Sequence, residues 1–505
     1  MSDSRESRRE LMQKELDSFK SDNERNLLGQ YSTPFPLACD IVRYVLSLRR
    51  SDESIRFLEP SIGTGVFYSA LTEYADVREA LGFEIDSHYY KPSSQFWSDS
   101  GLRIIHGDFF EQAPRNKFNL ILANPPYTRH HHLDAGLKQR LRERVLSQFG
   151  IGISGLCGLY CYFMILSSAW LEQGGISSWL IPSEFMDVNY GEGVKRFLTD
   201  KVDLVSIHRF DPEDVQFSDA LVSSAVVTFR NSRHRHHDVV LSSGGSLYSP
   251  KRRRVVSVDD MDAAHKWGHM FSMENPMVEG LPLGHYFKVS RGVATGNNSF
   301  FILSEEEVVE RGLPKEFLQP ILPPPRNLKE TRIMEDGSNL KCKDRYYLLS
   351  CPLPLDEIKG RYASLYKYVI EGEERKVNEG YNCSRRKPWY CCEFRTAAPI
   401  YMTYMGRGGD GSEVFRFILN ESASIVTNSY LMLYPRKEYK YCFSDAGIRS
   451  SVWRILNGIP KKRLAACGRS YGGGLFKIEP KELESLKVPE LEGVLKPLQK
   501  SLFDQ

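Results

Sequence analysis

Between residues 38 and 230 short β-branched or apolar runs take turns with helical stretches, and this alternation leaves few folds open. The runs are IRFLEP, EALGFEID, LRIIHGD, FNLILANPP, GISSWLIPS, VDLVSIHRF and SSAVVTFR, and the helical stretches include ACDIVRYVLSLRR, VFYSALTEYA, CYFMILSSAWLEQ and GVKRFLTD. Strand and helix in alternation predict an α/β sheet, mostly parallel, with helices on both faces. Residues 231–257 are polar and basic, with a Gly-Gly pair and a Pro, and mark a boundary or a connecting hairpin. Beyond about residue 280 the pattern turns irregular and rich in Tyr, Pro and Gly, with short strands such as SIVTNSYLMLYP, which predicts a second, mixed α+β domain. Residues 6–28 alternate charged and apolar positions as an exposed helix does. The expected organisation is an N-terminal helical extension at 1–28, an α/β domain at 29–255 and a mixed domain at 256–505.

Composition bounds the classes of function. At 505 residues, 41% hydrophobic and 26% charged, the chain is long enough for two or more domains with sizeable cores. No window approaches the roughly 18 uninterrupted apolar residues of a membrane span, and the charged N-terminus lacks a signal-peptide core. A cytoplasmic protein is expected, in a prokaryotic cytosol or nucleoid and with no membrane partner. The ten cysteines are scattered without a CxxC pair, so they are read as reduced thiols and no metal site is expected. Cys157 and Cys161 are four apart and on a helix would share a face, but within LCGLYCYFMIL a core role outweighs metal binding. Net charge is +3, yet residues 281–505 carry 35 Lys+Arg against 27 Asp+Glu while residues 1–280 carry 32 against 37. The basic C-terminal part is compatible with a nucleic-acid partner and equally with a solvated surface.

Chemistry-bearing residues recur where the runs end. IRFLEPSIGTGVF places Glu59 and Pro60 at a strand end, then Gly63 and Gly65 in a turn that opens a helix near Val66. Glycines there let backbone approach a ligand at the carboxyl edge of an open sheet, although the short Gly-x-Gly alone also fits a tight strand-to-helix turn. The next strand ends in Glu84 and Ile85, about twenty residues on, where an acidic side chain can take both hydroxyls of a ribose. The third ends in Asp108 and Phe109, which can accept from an adenine amino group and cover the ring, or serve as a helix N-cap and a core residue. Order and spacing together fit an adenosine ligand.

The fourth strand, FNLILA, stops on Asn124, Pro125, Pro126 and Tyr127. Two consecutive prolines cannot continue a ladder, and the residue before each is pushed to extended backbone, so a stiff rim leaves the sheet edge. Such a rim can aim the Asn124 side-chain oxygen and the Pro125 carbonyl at one point. Two convergent acceptors match the two hydrogens of an exocyclic amine. An aromatic amine is a poor nucleophile because its lone pair is shared with the ring; gripping both N–H bonds in a tetrahedral arrangement frees that pair and stabilises the charge that develops on nitrogen. Tyr127 can stack on the ring that carries the amine. Taken alone the tetrapeptide also fits a Pro-Pro strand exit with a surface Tyr.

Together these residues resemble the S-adenosylmethionine-dependent amino-methyltransferases of DNA in their gamma arrangement. In that family a G-x-x-x-T-P segment contacts the methionine end of the cofactor, and its counterpart is GQYSTP at residues 29–34, with Tyr31 and Thr33. The family's E-P-x-x-G-x-G falls on residues 59–65, its acidic ribose ligand on Glu84, its D-F on Asp108 and Phe109, and its catalytic N-P-P-[YFW] on residues 124–127. GLYCYFMILSSAWLEQGG, WLIPSEF and NYGEGVKRFL resemble later family segments, and Phe217 in VQFSDALVSSAVVTF stands where the family places a second aromatic against the extruded base. SRGVATGNNSFFIL, CSRRKPWY, IVTNSYLMLYP and YGGGLFKIEPKELESLKVPEL resemble the target-recognition domains of Eco57I-type restriction-modification methylases.

The resemblance implies a Rossmann-like methyltransferase sheet followed by a mixed α+β target-recognition domain. It implies methyl transfer from S-adenosylmethionine to N6 of a flipped adenine in a specific double-stranded DNA sequence (adenine-specific, EC 2.1.1.72 type), as the modification component of a restriction-modification or similar defence system. Asn124 polarises the amine, Tyr127 and Phe217 offset part of the cost of flipping, and neither metal nor covalent intermediate is required. Double-stranded DNA and a separate restriction endonuclease are the implied partners, for a monomer or weak dimer. N-P-P-Y also serves methylation of glutamine amides in translation factors and of guanine N2 in ribosomal RNA, by enzymes that are usually shorter and lack a large C-terminal domain. N4-cytosine methylation is a nearer neighbour, and a non-catalytic DNA-specificity subunit is the non-enzymatic alternative. The basic and aromatic cluster at residues 385–390 is either a DNA contact or a solvated face beside a core Trp. His130, His131 and His132 do not face one way in any regular structure and suggest a loop bordering the DNA cleft.

Overall fold

The computed structural model describes residues 4–50, 53–211, 223–232, 237–271, 279–335, 345–403, 405–407, 415–471 and 475–496. It divides the chain into two compact units, Met1–Asn275 with Tyr471–Gly474, and Pro276–Ser470 with Leu475–Gln505.

The N-terminal unit opens with helices α1 (Arg5–Ser18), α2 (Asp22–Leu28) and α3 (Phe35–Ser47). Pro34 caps α3 and Pro36 lies in its first turn, where a missing N–H costs nothing; Leu37, Ala38, Ile41, Val42 and Val45 then recur at helical spacing and are buried. Among the described residues nine strands follow: β1 (Ile55–Glu59), β2 (Val77–Glu84), β3 (Leu102–His106), β4 (Phe118–Ala123), β5 (Leu171–Pro182), β6 (Asp203–Arg209), β7 (Ser224–Arg230), β8 (Asp238–Gly245) and β9 (Pro250–Ser257). Between them lie α4 (Val66–Thr72), α5 (Ser87–Phe96), α6 (Ala135–Phe149), α7 (Leu159–Ser167) and α8 (Glu192–Asp200). The spatial order is β3-β2-β1-β4-β5-β7-β6-β8-β9.

The first five strands in that order are parallel, as the alternation of strand and helix led us to expect. The remainder is mixed, since β7 runs antiparallel to both β5 and β6, β8 parallel to β6, and β9 antiparallel to β8. Residues 238–257, within the expected boundary or hairpin, form the β8–β9 hairpin and extend this sheet at its edge. The stretch expected as one helix from CYFMIL to WLEQ breaks at Ser167. Ser167 and Ser168 hydroxyls bond back to the Phe163 and Ile165 carbonyls, and Trp170 packs against Phe83 and Phe109 while Leu171 starts β5. Tertiary packing of one large aromatic overrides local helix preference here.

One consequence of the strand order sets the position of the site. From β1 the chain moves outward to β2 and β3, then crosses to β4 on the other side of β1. The loops leaving β1 and β4 therefore diverge and open a crevice at the carboxyl edge of the sheet.

In the C-terminal unit, the strands Phe287–Arg291, Tyr430–Pro435, Ile400–Thr403, Phe417–Asn420 and Arg332–Ile333 form one sheet in that order, and Ile302–Ser304, Tyr346–Leu349 and Leu318–Ile321 form a smaller one. The cluster at 385–390 is divided between core and surface. Tyr390 is buried with its hydroxyl on the Leu353 carbonyl, Trp389 donates to Glu373, and Arg386 braces the Ala294 and Thr295 carbonyls. Arg385 and Lys387 face outward, with the Arg385 guanidinium over the exposed Tyr381 ring. Among the described residues no helix is long and apolar enough to cross a membrane.

Candidate active site

The turn after β1 carries Gly63 at φ 53° and Gly65 at φ 80°, left-handed conformations that favour glycine. It is tied on two sides, by the Ile62 N–H to the Phe83 carbonyl (2.9 Å) and by the Trp97 indole N–H to the Thr64 carbonyl (2.9 Å). Gly82, paired with Glu59 across β1 and β2, lets Ile62 lie flat on the strand: a Cβ at Gly82 would stand 2.3 Å from Ile62 Cδ1.

Four carboxylates line the crevice that this turn borders. Glu84 Oε2 accepts the Gly63 N–H (2.9 Å) and Oε1 the Asp86 N–H (2.8 Å), while burial pushes its pKa above the usual carboxylate range against those bonds. Glu59 is 2% exposed, and its Oε2 is buried without a hydrogen-bond partner among the described residues. Burial raises its pKa well above the ordinary value; the Arg9 charge opposes this and Glu84 adds to it. Asp108 accepts the Phe110 N–H (2.8 Å) as an N-cap, and Phe109 packs among Phe83, Phe163 and Trp170. Asp17 of α1 is the fourth carboxylate.

The Asn-Pro-Pro-Tyr segment leaves β4 as the prolines dictate. The Asn124 Nδ2 donates to the Tyr31 carbonyl (2.8 Å) and the Thr33 hydroxyl (3.0 Å). A backbone carbonyl only accepts, so the amide nitrogen must face Tyr31, and Oδ1 is left as an acceptor that no hydrogen bond reaches among the described residues. Tyr127 closes the junction, its N–H on the Gly29 carbonyl (2.9 Å) and its hydroxyl on the Leu180 carbonyl (3.0 Å). Its ring is 8% exposed and lies 5.6 Å from that of Tyr31.

These elements enclose a cavity of about 300 Å³. Of the residues singled out from sequence, Tyr31, Thr33, Glu59, Pro60, Gly63 and Glu84 line it. So do Ile85, Asp108, Phe109, Asn124 and Pro126. Gly65, Pro125 and Tyr127 are not in its lining, and Phe217 lies outside the described residues. Gln13 and Asp17 of α1 and Tyr89 of α5 line it as well, although no motif marks those positions.

The family model described as Eco57I restriction-modification methylase matches residues 46–216, and that of the Type II methyltransferase M.Eco57I C-terminal domain matches residues 277–504. The chain belongs to the Eco57I-type methylase family. It is 26% identical to the Type II methyltransferase M.AccI of Acinetobacter calcoaceticus over 478 residues, covering 91% of this chain and 85% of that one. It is also 26% identical to M.XamI of Xanthomonas campestris pv. amaranthicola over 482 residues, covering 92% and 86%. Among solved structures, the type IIL restriction-modification enzyme MmeI in complex with DNA shares the fold at 11% identity and a TM-score of 0.56, covering 97% of this chain and 79% of that one. The methylase spans 61% of the length of the type IIG restriction endonuclease BpuSI, at 14% identity and a TM-score of 0.48.

Fold and family imply S-adenosylmethionine as the methyl donor, and the residues present fit it. A donor with a sulfonium and an ammonium suits a cavity lined by Glu59, Glu84 and Asp108, and the unpartnered buried Glu59 oxygen is a group that a cation would satisfy. Glu59 is expected to give a measurable trade-off. In the donor-free methylase the unfolded chain ionises Glu59 at lower pH than the folded chain, so folding loses stability as pH rises from the ordinary carboxylate range through the raised one. Glu59→Gln is expected to remove that loss, raising the donor-free Tm by about 2–4 °C at neutral pH. The same change is expected to weaken donor binding by about tenfold or more. Thermal melts between pH 5 and 8, with titration of S-adenosylhomocysteine, check both arms.

Proposed function

We propose that the methylase transfers a methyl group from S-adenosylmethionine to the exocyclic N6 amine of an adenine flipped out of double-stranded DNA, at a sequence read by the C-terminal unit, as the modification partner of a separate restriction endonuclease. The observation that carries this reading is the Asn124 carboxamide. Both of its donor contacts go to residues 31 and 33, so its oxygen is committed to accept, at the rim of the cavity that the donor would occupy. The bound donor supplies an electrophilic methyl group on a sulfonium. The chain's own residues supply acceptors for the amine hydrogens: Asn124 Oδ1 and, one residue on, the Pro125 carbonyl. Gripping both N–H bonds returns the nitrogen lone pair from the ring to the reacting direction, and the fixed dipoles stabilise the positive charge that builds on nitrogen. Preorganisation comes from the Pro-Pro backbone and from the Tyr31 and Thr33 anchors, so little reorganisation is left for the reaction itself. Outward-facing Arg385 and Lys387 are phosphate-contact candidates in the C-terminal unit.

Incorporation of label from methyl-tritiated S-adenosylmethionine into duplex DNA, followed by nucleoside analysis, tests the reading. N6-methyladenine is the expected product. N4-methylcytosine would move the target base, and label confined to RNA or protein would replace DNA as substrate.

A further inference from the structure

The first helix was expected to be an exposed extension, yet one polar face of it is turned inward, with Arg9 buried and Glu6, Gln13 and Asp17 half-buried. Glu6, Arg9, Gln13 and Asp17 recur at spacings of three and four, which puts them on one stripe of α1. Arg9 is 3% exposed. Its guanidinium grips Glu6 through two bonds (2.8 and 2.7 Å) and donates a third to the Thr64 hydroxyl (2.6 Å) in the glycine turn. Thr64 donates in turn to Gln13 Oε1, and Gln13 Nε2 donates to Asp17 Oδ1 (2.8 Å). Asp17 Oδ1 also accepts the Tyr89 hydroxyl (2.7 Å), and Oδ2 accepts the Ser32 hydroxyl (2.9 Å) from the 29–34 segment. Beyond the helix, Lys20 bonds Gln30 Oε1 (2.8 Å) and pairs with Asp86. A single hydrogen-bonded chain thus runs from the turn after β1, across α1, to the segment that anchors Asn124.

We propose that α1 is a working part of the donor site: Arg9, Gln13 and Asp17 are positioning residues that hold the glycine turn and the 29–34 segment in fixed register around the amino-acid end of the donor. This rests on the S-adenosylmethionine reading of the cavity, with the donor's amino-acid end at residues 29–34. The adenosine end is served by Glu84, Ile85, Asp108 and Phe109, to which none of these three side chains is hydrogen-bonded. Loosening α1 therefore discriminates between ligands that carry the amino-acid end and ligands that lack it. A polar network on an inward-facing helix stripe is rigid when its members are satisfied, and that rigidity suits it to fixing a ligand site.

The test uses the full-length protein without DNA. S-adenosylhomocysteine and 5′-methylthioadenosine, which lacks the amino-acid end, are titrated calorimetrically into the wild type and into Gln13→Leu/Asp17→Asn. The expected result is a loss of about 10–100-fold in S-adenosylhomocysteine affinity, with 5′-methylthioadenosine affinity held within about threefold and duplex-DNA anisotropy unchanged. Ser32→Ala cuts the Asp17 link from the other side without touching the helix, and is expected to show the same selectivity at about 3–10-fold. Equal loss for both ligands in both variants would reduce α1 to a structural brace, and unchanged affinity for both would remove it from the site. Failure of the wild type to bind S-adenosylhomocysteine would instead overturn the donor reading itself.

Discussion

Asn124→Ala is expected to lower kcat for methyl transfer by about 10³-fold, the range measured when a single preorganised electrostatic group is removed from a reacting centre. Two features of the site bear on the size of the effect. Among the described residues no hydrogen bond competes for the Asn124 oxygen, so its acceptor capacity is available to the amine, and the amide nitrogen is held by Tyr31 and Thr33. Loss of those two donors leaves the Tyr31 carbonyl and Thr33 hydroxyl with one partner fewer, which costs about 1–2 kcal/mol of stability, too little to unfold a unit of this size. S-adenosylhomocysteine affinity is expected to fall by less than about fivefold, because the donor's other contacts persist. Asn124→Asp is the sharper variant. A carboxylate has no N–H to offer the Tyr31 carbonyl, so one oxygen is repelled from the anchor and the other loses its fixed direction. Activity is expected to fall about as far as in the alanine variant despite a conserved acceptor, because aim rather than acceptor count is what the anchors supply. Single-turnover kinetics with saturating donor separate this chemical step from binding. A variant that kept kcat and raised only the KM for donor would assign Asn124 to the cofactor instead.

What the sequence made legible was whatever leaves a one-dimensional mark. Apolar runs of strand length announce β1 to β5, and glycines and prolines at their carboxyl ends announce the loops that form the cavity, because those residue types are demanded by backbone geometry. The direction of β7 left no such mark, since SSAVVTFR is buried on both faces whether its neighbours run with it or against it. Trp170 turns into the core through contacts with Phe83 and Phe109, far off in sequence, and ends a helix that its neighbours would have continued. Gly82 reads as an ordinary strand residue; only the Ile62 side chain lying over it shows why a methyl group has no room. The stripe on α1 was missed for a different reason. Hydrophobic periodicity marks a buried helix face, and here the inward-facing stripe is Glu6, Arg9, Gln13 and Asp17, which in sequence is indistinguishable from the solvated side of any charged helix. Tyr127, read from sequence as a stacking surface, is held by side-chain contacts that left no mark in sequence: its hydroxyl takes the Leu180 carbonyl and its ring stands 5.6 Å from that of Tyr31.

Gly29→Ala is expected to be among the most damaging single-methyl additions at the candidate site. Gly29 sits at φ 69°, a left-handed conformation that costs an L residue about 1 kcal/mol or more. The greater penalty is steric. A Cβ at this position would stand 2.4 Å from both the Tyr127 and Thr128 nitrogens, and backbone has no rotamer by which to give way. Either the 29–34 segment or the Asn-Pro-Pro-Tyr segment must shift by about an ångström, a displacement of the size that costs about 10²-fold in rate at a reacting centre. The two segments are also bonded to each other at this point, through Tyr127 N–H to the Gly29 carbonyl and the Thr128 hydroxyl to the Leu28 carbonyl (2.7 Å), so the shift breaks the contacts that define their register. Asn124 is anchored on Tyr31 and Thr33, two and four residues beyond the substitution, and its oxygen is re-aimed when they move. The expected result is a fall of about 10²-fold in kcat together with weaker S-adenosylhomocysteine binding and a Tm lowered by several degrees. Asn124→Ala, by contrast, lowers kcat with donor binding largely kept. Measured side by side, the two variants separate the group that performs the polarisation from the backbone contact that aims it: a Gly29→Ala protein with wild-type kcat and donor affinity would mean that the two segments do not need each other's register.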